Sequence, residues 1–449
     1  MKKMIISIMM LHTAIIIFSQ DLQTVNKGEI SNWTTHFQTT VIYQHQSAFR
    51  AKYSGQNSLD TTANEAYSQT ATLFIGRRLW KNAVFYFNPE ITGGDGISHV
   101  TGLAGAPNGE IYRVGNPKPT AFVARGYLQQ IIPIGNTAYH EVEDGENQLS
   151  RMQPHSYISL IMGKFCVSDF FDDNLYSHDA RSQFLNWAIM ASGAWDFMAD
   201  TRGYTTGIAA AIHRPNWTLG FASVRVPRLA NGLEMDWNIA KANSETLEYE
   251  QKWSIHHRPG TIRATGYITF SKAPVYTKAT QDLLKGDSTR YFVLMGEKEW
   301  NTYEGVKYGF GINLDQEIAN GIGVFSRISW SDGHSGTWAF TEIDRNLQIG
   351  YSLDGKLWNR PADVFGMCAA VNGLSSEHRA YLKAGGMGFI IGDGNLNYGT
   401  EKILEAYYRA KLNNFLFVSV DYQFITNPGY NKDRKGPIYV PGVRVHVEF

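Results

Sequence analysis

The last seven residues of the chain alternate strictly between two kinds of side chain. Apolar residues occupy every second position, namely Val443, Val445, Val447 and Phe449. Charged or titratable residues stand between them, namely Arg444, His446 and Glu448. A period of two is typical of a β-strand, because successive side chains point to opposite faces of a sheet. One face of this strand therefore needs an apolar environment, and the other needs water or polar partners.

The same alternation recurs along most of the chain. Residues 404–412 and 418–424 are predicted to form a hairpin around Asn413-Asn414, because asparagine tolerates the positive φ of a tight turn. A second hairpin is predicted to turn at His257-Arg258-Pro259-Gly260. The other predicted strands cover residues 33–44, 71–79, 83–90, 122–130, 217–226, 247–255, 262–270 and 306–314. The pattern indicates an all-β fold.

The two faces of these strands decide between a sandwich and a barrel. A sandwich strand hides its apolar face and exposes mainly Thr, Ser and Lys. Here the apolar faces are rich in aromatic residues, which number 24 Tyr, 24 Phe and 11 Trp in the chain, and the polar faces carry long charged side chains. This favours a lipid-facing exterior with aromatic girdles around a wet lumen. Lipid also requires every backbone group to be paired, so we predict a closed antiparallel transmembrane β-barrel.

The length of the chain sets the expected number of strands. No run of 18 apolar residues follows the N-terminal segment, which excludes a helical membrane protein. The rest of the chain divides into sixteen strands at about 27 residues per strand and connection, and eighteen strands also fit. Barrels of this size leave an aqueous channel. The balance of 41 basic and 41 acidic residues gives no indication of a nucleic-acid partner.

The N-terminal segment has the layout of a secretory signal peptide. Lys2 and Lys3 precede an apolar stretch from Met4 to Phe18, and a polar sequence follows Gln20. A transmembrane anchor is the alternative, but about 15 apolar residues are too few to cross a bilayer as a helix. We therefore predict a cleaved signal peptide at residues 1–20 and a single barrel domain at residues 21–449, exported to the outer membrane of a Gram-negative bacterium.

Two long segments interrupt the strand pattern. Residues 92–118 are rich in Gly, Pro and Asn, and residues 169–203 are rich in charged and aromatic side chains. Loops of such length are usually functional or disordered, and the aromatic residues of the second favour order. We expect both to fold into the lumen. A short helix capped by Ser375 is predicted at residues 375–383.

Several segments of the chain resemble motifs of the carbohydrate-selective porin family. They lie at residues 88–90, 107–110, 163–186, 200–204, 385–394, 427–434 and 442–449. Together they span the chain from about residue 33 to its end. The resemblance implies a sixteen-stranded outer-membrane porin, similar to glucose porins, that passes glucose and related sugars without energy input. The residue pattern alone predicts the barrel and the channel but not the sugars.

A channel that favours sugars needs polar groups for hydroxyls and flat aromatic rings for the apolar faces of the sugar. We selected residues that combine a lumen-facing or loop position with a match to the family. The candidates are Arg78, Glu90, Arg125, Asp172, Asn174, Asp179, Arg181, Asn186 and Arg202, with Trp187 as a stacking platform. Each charged candidate has a structural alternative, a salt bridge that pins a loop. That alternative weighs at least equally for Asp169, Asp173 and Asp196, and Glu405 with Arg409 is interpreted as a structural wall network.

Other functions remain open at this stage. The acidic cluster Asp169, Asp172, Asp173, Asn174 and Asp179 could hold Ca²⁺, although it lacks EF-hand spacing; no metal and no cofactor are predicted. Ser168, His178 and Asp179 lie close in sequence without a nucleophile motif, so an enzyme is not expected. A plugged barrel and a channel for charged solutes are further alternatives; arginines without balancing acids would favour anions.

Small carbohydrates and outer-membrane lipid are the expected partners, and the barrel would be a monomer or a homotrimer. The two cysteines, Cys166 and Cys368, are expected to be unpaired.

Overall fold

The structure is a computed structural model that describes residues 31–112 and 117–449. The predicted signal peptide at residues 1–20 lies outside the described residues. Among the described helices, none has both the length and the apolar character that a membrane span requires.

Sixteen antiparallel strands form a closed barrel, as predicted. In chain order the strands are β1 (Trp33–Gln46), β2 (Asn64–Trp80), β3 (Ala83–Gly94), β4 (Thr120–Pro133), β7 (Tyr157–Phe165), β8 (Thr205–His213), β9 (Trp217–Arg225), β10 (Asn243–Ile255), β11 (Arg258–Ser271), β12 (Gly305–Ala319), β13 (Ile322–Ser331), β14 (Arg345–Asp354), β15 (Val364–Gly373), β16 (Glu401–Lys411), β17 (Leu416–Thr426) and β18 (Ile438–Glu448). The two remaining strands, β5 (Tyr139–Val142) and β6 (Arg151–Pro154), form a separate ribbon. Pairing of β1 with β18 closes the barrel, with Val41 opposite Val445.

Compared with a soluble protein, the positions of apolar and charged side chains are exchanged: apolar residues lie on the outside and charged residues on the inside. On β18, Val443 is 43% exposed on the outside, while Arg444 and His446 are buried on the inside. The same holds on β17, where Val420 is exposed and Asp421 is buried. The apolar face of the alternating pattern therefore faces lipid, and the charged face lines the lumen.

The two ends of the barrel differ in the length of their connections. At one end, here called the short-turn end, most connections are brief, namely residues 81–82, 214–216, 256–257, 320–321, 355–363 and 412–415. At the other, long-loop end, eight longer connections join the strands. In outer-membrane barrels the short turns are periplasmic and the long loops extracellular.

The turn predicted at residues 257–260 is displaced in the structure. His256 and His257 form it, with φ of 50° and 64°, and Arg258 already begins β11. Two consecutive positive φ values give the twist that a two-residue hairpin needs, which here overrides the Pro-Gly signal. Pro259 lies within the first residues of the strand, a position that proline tolerates.

Four helices lie in the loops of the long-loop end. They are α1 (Trp187–Met190), α2 (Tyr276–Leu284), α3 (Thr289–Leu294) and α4 (Ser376–Lys383). The predicted cap of α4 is confirmed, because the Ser375 side chain accepts a hydrogen bond from the His378 N–H at 3.1 Å. The sequence pattern does not predict α1, α2 or α3.

The connection between β7 and β8 (residues 166–204), here called L3, folds into the lumen as expected. Arg327 of β13 holds it from the far wall with its guanidinium completely buried. Its Nε donates to Asp172 Oδ1 at 3.2 Å, and its Nη2 donates to the Ser177 carbonyl at 2.6 Å. Tyr176 packs so closely on Gly323 of β13 that a Cβ there would lie 2.0 Å from its ring, so a larger residue at this position would have to displace the ring.

The connection between β3 and β4, here called L2 and described at residues 95–112 and 117–119, also enters the lumen. Glu401 of β16 accepts hydrogen bonds from the N–H groups of Ala104 and Gly105 at 3.1 and 2.8 Å. The Gln423 amide of β17 donates to the Pro107 carbonyl at 2.8 Å. L2 and L3 therefore occupy much of the barrel, and a cavity remains beside the walls of β1 to β4.

Replacing Arg327 with Met tests whether this residue fixes L3. The change leaves the Asp172 carboxylate buried without its cation, so we expect the free energy of unfolding to fall by about 3–5 kcal/mol. Urea unfolding in lipid vesicles measures this loss. Ile328→Leu on the adjacent lipid-facing position serves as the control, and an equal stability of the two variants would contradict the anchoring role.

Candidate functional site

A cavity of about 600 Å³ lies between L2, L3 and the inner wall of β1 to β4. Six of the ten residues predicted from the sequence line it, namely Glu90, Arg125, Asp179, Arg181, Trp187 and Arg202. Their direct contact with a solute remains a prediction. Small-molecule sites commonly enclose about 300–1,000 Å³, so the cavity has a suitable size for a sugar.

Arg181 of L3 is at the centre of a charged network. Its Nε donates to Glu110 of L2 at 2.8 Å, and its Nη2 donates to Glu90 of β3 at 3.1 Å. Burial alone would lower the pKa of Arg181, but the charges of Glu110 and Glu90 outweigh burial and raise it. The arginine is therefore permanently charged and neutralised by two carboxylates that belong to different segments.

The Asp179 side chain forms its hydrogen bonds within L3. Its carboxylate accepts hydrogen bonds from the Ser182 hydroxyl at 2.7 Å and from the Arg181 N–H at 2.9 Å. Burial would raise the pKa of Asp179, but these hydrogen bonds outweigh burial and lower it. Asp179 thus adds a stable negative charge to the cavity wall.

A second ion pair joins Arg125 of β4 to Asp169 of L3. The pair is bidentate, with N–O distances of 2.7 and 2.6 Å. The Arg125 guanidinium also lies 5.3 Å from the centre of the Tyr204 ring. Tyr204 in turn donates its hydroxyl to Glu90 at 3.1 Å, which connects the two charged networks.

Arg202 differs from the other two arginines of the cavity. Its guanidinium lies 4.3 Å from the centre of the Phe122 ring. Within residues 31–112 and 117–449 it forms no ion pair. The planar donor groups of Arg202 are therefore available to a solute, on an aromatic support that orients them.

Trp187 takes a more structural position than predicted. Its side chain is 5% exposed, and its indole N–H donates to the Asn108 carbonyl at 2.9 Å. The ring stacks on Phe340 with a centroid distance of 5.5 Å. Trp187 forms part of the cavity wall and at the same time joins L2 to L3.

Four of the predicted residues do not line this cavity. Asp172 binds Arg327, and Asn174 donates to Asn313 at 2.7 Å. Asn186 caps α1 and donates to Gln423 at 2.9 Å. Arg78 lies toward the short-turn end, where it donates to the Ser150 carbonyl at 3.0 Å. These four side chains fix inserted segments to the wall.

Several lining residues were missed by the sequence analysis, among them Glu110, Phe122 and Tyr204. Glu110 and Tyr204 lie in segments that match the family, so their position could have been noticed. The position of Phe122 could not have been noticed, because in a regular strand the side chains of Phe122 and Arg125 would point to opposite faces of the sheet. The register shifts between Asn88 and Pro89, which face Arg125 and Val123, and this bulge brings both side chains to the lumen.

The metal and enzyme alternatives find no support in these contacts. Among the described residues, no group of three or more His, Cys, Asp or Glu side chains is arranged to hold a metal ion. The Ser168 hydroxyl contacts the Cys166 sulfur at 3.1 Å, and no hydrogen bond within the described part of the chain joins Ser168, His178 and Asp179. Cys166 and Cys368 are both free thiols.

A closed sixteen-stranded barrel with a lipid-facing apolar exterior and a charged, loop-narrowed lumen defines a porin. The model of the carbohydrate-selective porin, OprB family, matches residues 56–449. The chain belongs to this family, and it is therefore an outer-membrane porin. The family and the fold are those of channels and not of enzymes.

One solved structure agrees with the fold, and others are less similar to it. The high-pH structure of Pseudomonas putida OprB has 16% identity, with 93% of this chain and 94% of that chain covered, and a TM-score of 0.69. The low-pH structure of the same protein has 12% identity, 93% coverage of each chain and a TM-score of 0.48. Acinetobacter baumannii OccAB1 has 10% identity, with 95% and 99% covered, and a TM-score of 0.48. A comparison with curated proteins gives no match.

The thiol of Cys166 provides a reporter inside the cavity. Burial, followed by the charge of Asp169, raises the pKa of Cys166 to about 11. We therefore expect its labelling by a small maleimide to accelerate about tenfold per pH unit between pH 7 and 10, because only the thiolate reacts. Mass spectrometry measures the rate in a Cys368→Ser background, which removes the second thiol. A rate independent of pH would contradict this environment.

Proposed function

We propose that this porin allows passive diffusion of small neutral carbohydrates, glucose-like mono- or oligosaccharides, across the outer membrane. The observation that carries the proposal is the pairing of charges in the cavity. Arg181 is matched by Glu90 and Glu110, and Arg125 is matched by Asp169. A passage lined by paired charges offers many hydrogen-bonding groups without a net attraction for anions.

The alternative of an anion channel required arginines without balancing acids. The cavity wall instead contains the Asp179 carboxylate in addition to the paired ones, and Asp200 is itself paired with Lys164 at 3.7 Å. An anion would meet these carboxylates at close range, where water screens them poorly. A neutral polyol avoids this cost and can donate its hydroxyl protons to the same carboxylates.

Arg202 and its neighbours supply the contacts that a sugar needs. The guanidinium of Arg202 can donate to two hydroxyls, and the rings of Phe122 and Tyr204 offer faces for the apolar C–H groups. Most of the other donors are already engaged by the protein. Binding should therefore be weak, which suits a channel, because a solute that binds tightly does not leave.

Single-channel current in a planar bilayer tests the proposal. We expect stable conductance that glucose and maltose block in a saturable way, while a non-sugar control of similar size does not. Arg202→Gln should weaken the block about tenfold, since a hydrogen bond to a charged group is lost. Arg228→Gln, which removes an arginine of the long-loop rim outside the cavity, is the matched control.

Conductance without any block by sugar would contradict the carbohydrate proposal and favour a general diffusion porin. Absence of conductance from folded protein would favour a plugged barrel. Block that is stronger for anionic solutes than for glucose would favour the charged-solute alternative.

A further inference from the structure

One connection at the short-turn end is far longer than the others. Residues 134–156 join β4 to β7, whereas the other connections at this end have between two and nine residues. The segment contains the ribbon of β5 and β6, in which Tyr139 pairs with Pro154 and Val142 pairs with Arg151. Long connections with their own secondary structure are usually functional, and periplasmic turns of barrels are usually short. The ribbon is therefore expected to have a function.

The tip of the ribbon, residues 143–150, is inserted into the barrel. Four neighbouring strands hold the tip or the residue that follows it. The contacts are His36 of β1 to Asp144 at 3.0 Å, Arg78 of β2 to the Ser150 carbonyl at 3.0 Å, the Leu149 N–H to the Tyr86 hydroxyl of β3 at 3.1 Å, and Arg151 to Gln129 of β4 at 3.1 Å. Leu149 is completely buried. The tip is thus fixed against the wall that carries the passage.

The tip forms part of the cavity itself. Glu146, Asn147 and Gln148 line it together with Asp179 of L3. A tight turn presents them, closed by two backbone hydrogen bonds between Gly145 and Gln148 at 2.8 and 3.0 Å, with Asn147 at a φ of 53°. The passage is therefore lined by segments that enter from both ends of the barrel.

Glu146 has the position that a filter residue requires. Its side chain is exposed, and its carboxylate accepts a hydrogen bond from the Gln38 amide at 3.4 Å. The surrounding wall raises its pKa by burial, and the negative charges of Asp179 and Glu448 add to this, while Arg181 and His446 oppose it. Glu146 therefore lines the cavity from a segment that enters at the short-turn end.

We propose that the ribbon tip is a second selectivity filter at the periplasmic exit of the passage, in which Glu146 determines which charge passes. The carboxylate attracts cations, repels anions and accepts hydroxyl protons from neutral sugars. The amides of Asn147 and Gln148 add neutral hydrogen-bonding groups beside it. The proposal rests on the channel function proposed above, and it assigns part of the selectivity to a segment on the opposite side from the extracellular loops.

Reversal potentials in a gradient of potassium chloride test the filter without any sugar. We expect a cation preference in the unmodified protein. Glu146→Gln should lower the ratio of potassium to chloride permeability roughly two- to fivefold, and Glu146→Lys should shift it further toward chloride. Glu141→Gln is the matched control, because Glu141 is an exposed acid on the same ribbon that does not line the cavity.

Each variant is first checked for heat-dependent mobility on gels, which reports a folded barrel. An unchanged permeability ratio in folded Glu146→Gln would overturn the proposal. An equal change in Glu141→Gln would also overturn it, because the effect would then come from the general charge of the ribbon. Failure of Glu146→Gln to fold would assign the side chain a structural role and would have the same consequence.

Glucose block in the same variants separates the two proposals. A filter at Glu146 predicts that glucose added from the periplasmic side blocks Glu146→Gln less well than the unmodified protein. If glucose blocked neither protein while the ion preference depended on Glu146, the filter would stand and the carbohydrate proposal would fail. If glucose blocked both equally and the ion preference did not change, the reverse would hold.

Discussion

The inserted loops of this barrel must find hydrogen-bond partners for their backbones inside the lumen. A buried N–H or carbonyl without a partner costs about 1–3 kcal/mol, and L2 and L3 bring many of them away from bulk water. The wall supplies the partners through charged and amide side chains such as Glu401, Gln423 and Arg327. Glu405 has the same role for L3, because it accepts the N–H groups of Leu185 and Asn186. Most of the polar side chains inside the barrel therefore hold loops and are not free for solutes.

The properties of the passage depend on the polar side chains that do not hold the backbones of the loops. Carboxylates and arginines that meet across L2, L3 and the wall neutralise one another, as Arg181 does with Glu90 and Glu110. Such a cavity discriminates by the number and direction of hydrogen bonds more than by net charge. Arg202 is an exception among its arginines, since an aromatic ring and not a carboxylate supports it. A neutral solute with many hydroxyls is the kind of molecule that such a surface favours.

The sequence predicts the barrel well because one physical pattern, apolar outside and polar inside, repeats on most strands. It is weak on β8 and β15, whose inner faces carry small residues such as Ala209 and Cys368. That pattern cannot separate a side chain that binds a loop from one that faces the passage, since both point inward. Asp172 and Asn186 are predicted from their loop position and their match to the family, but they hold L3 in place. The alternation also fails across a bulge, so it does not show that Phe122 faces the lumen. It gives no information about the ribbon at residues 134–156, whose position depends on contacts with β1 to β4.

Two weak binding sites in series discriminate between solutes better than a single site with their combined affinity. Each can bind weakly enough to release its solute, while the discrimination of the two steps multiplies. A single site with the combined affinity would hold the solute and slow transport. In this barrel the two constrictions share part of their support, since L3 is held by β13 and β16 and also by Glu90 of β3 and Arg125 of β4, whereas the ribbon is held by β1 to β4. Substitutions on β13 and β16 can therefore change the entrance while the supports of the ribbon stay in place, whereas substitutions on β3 and β4 can change both.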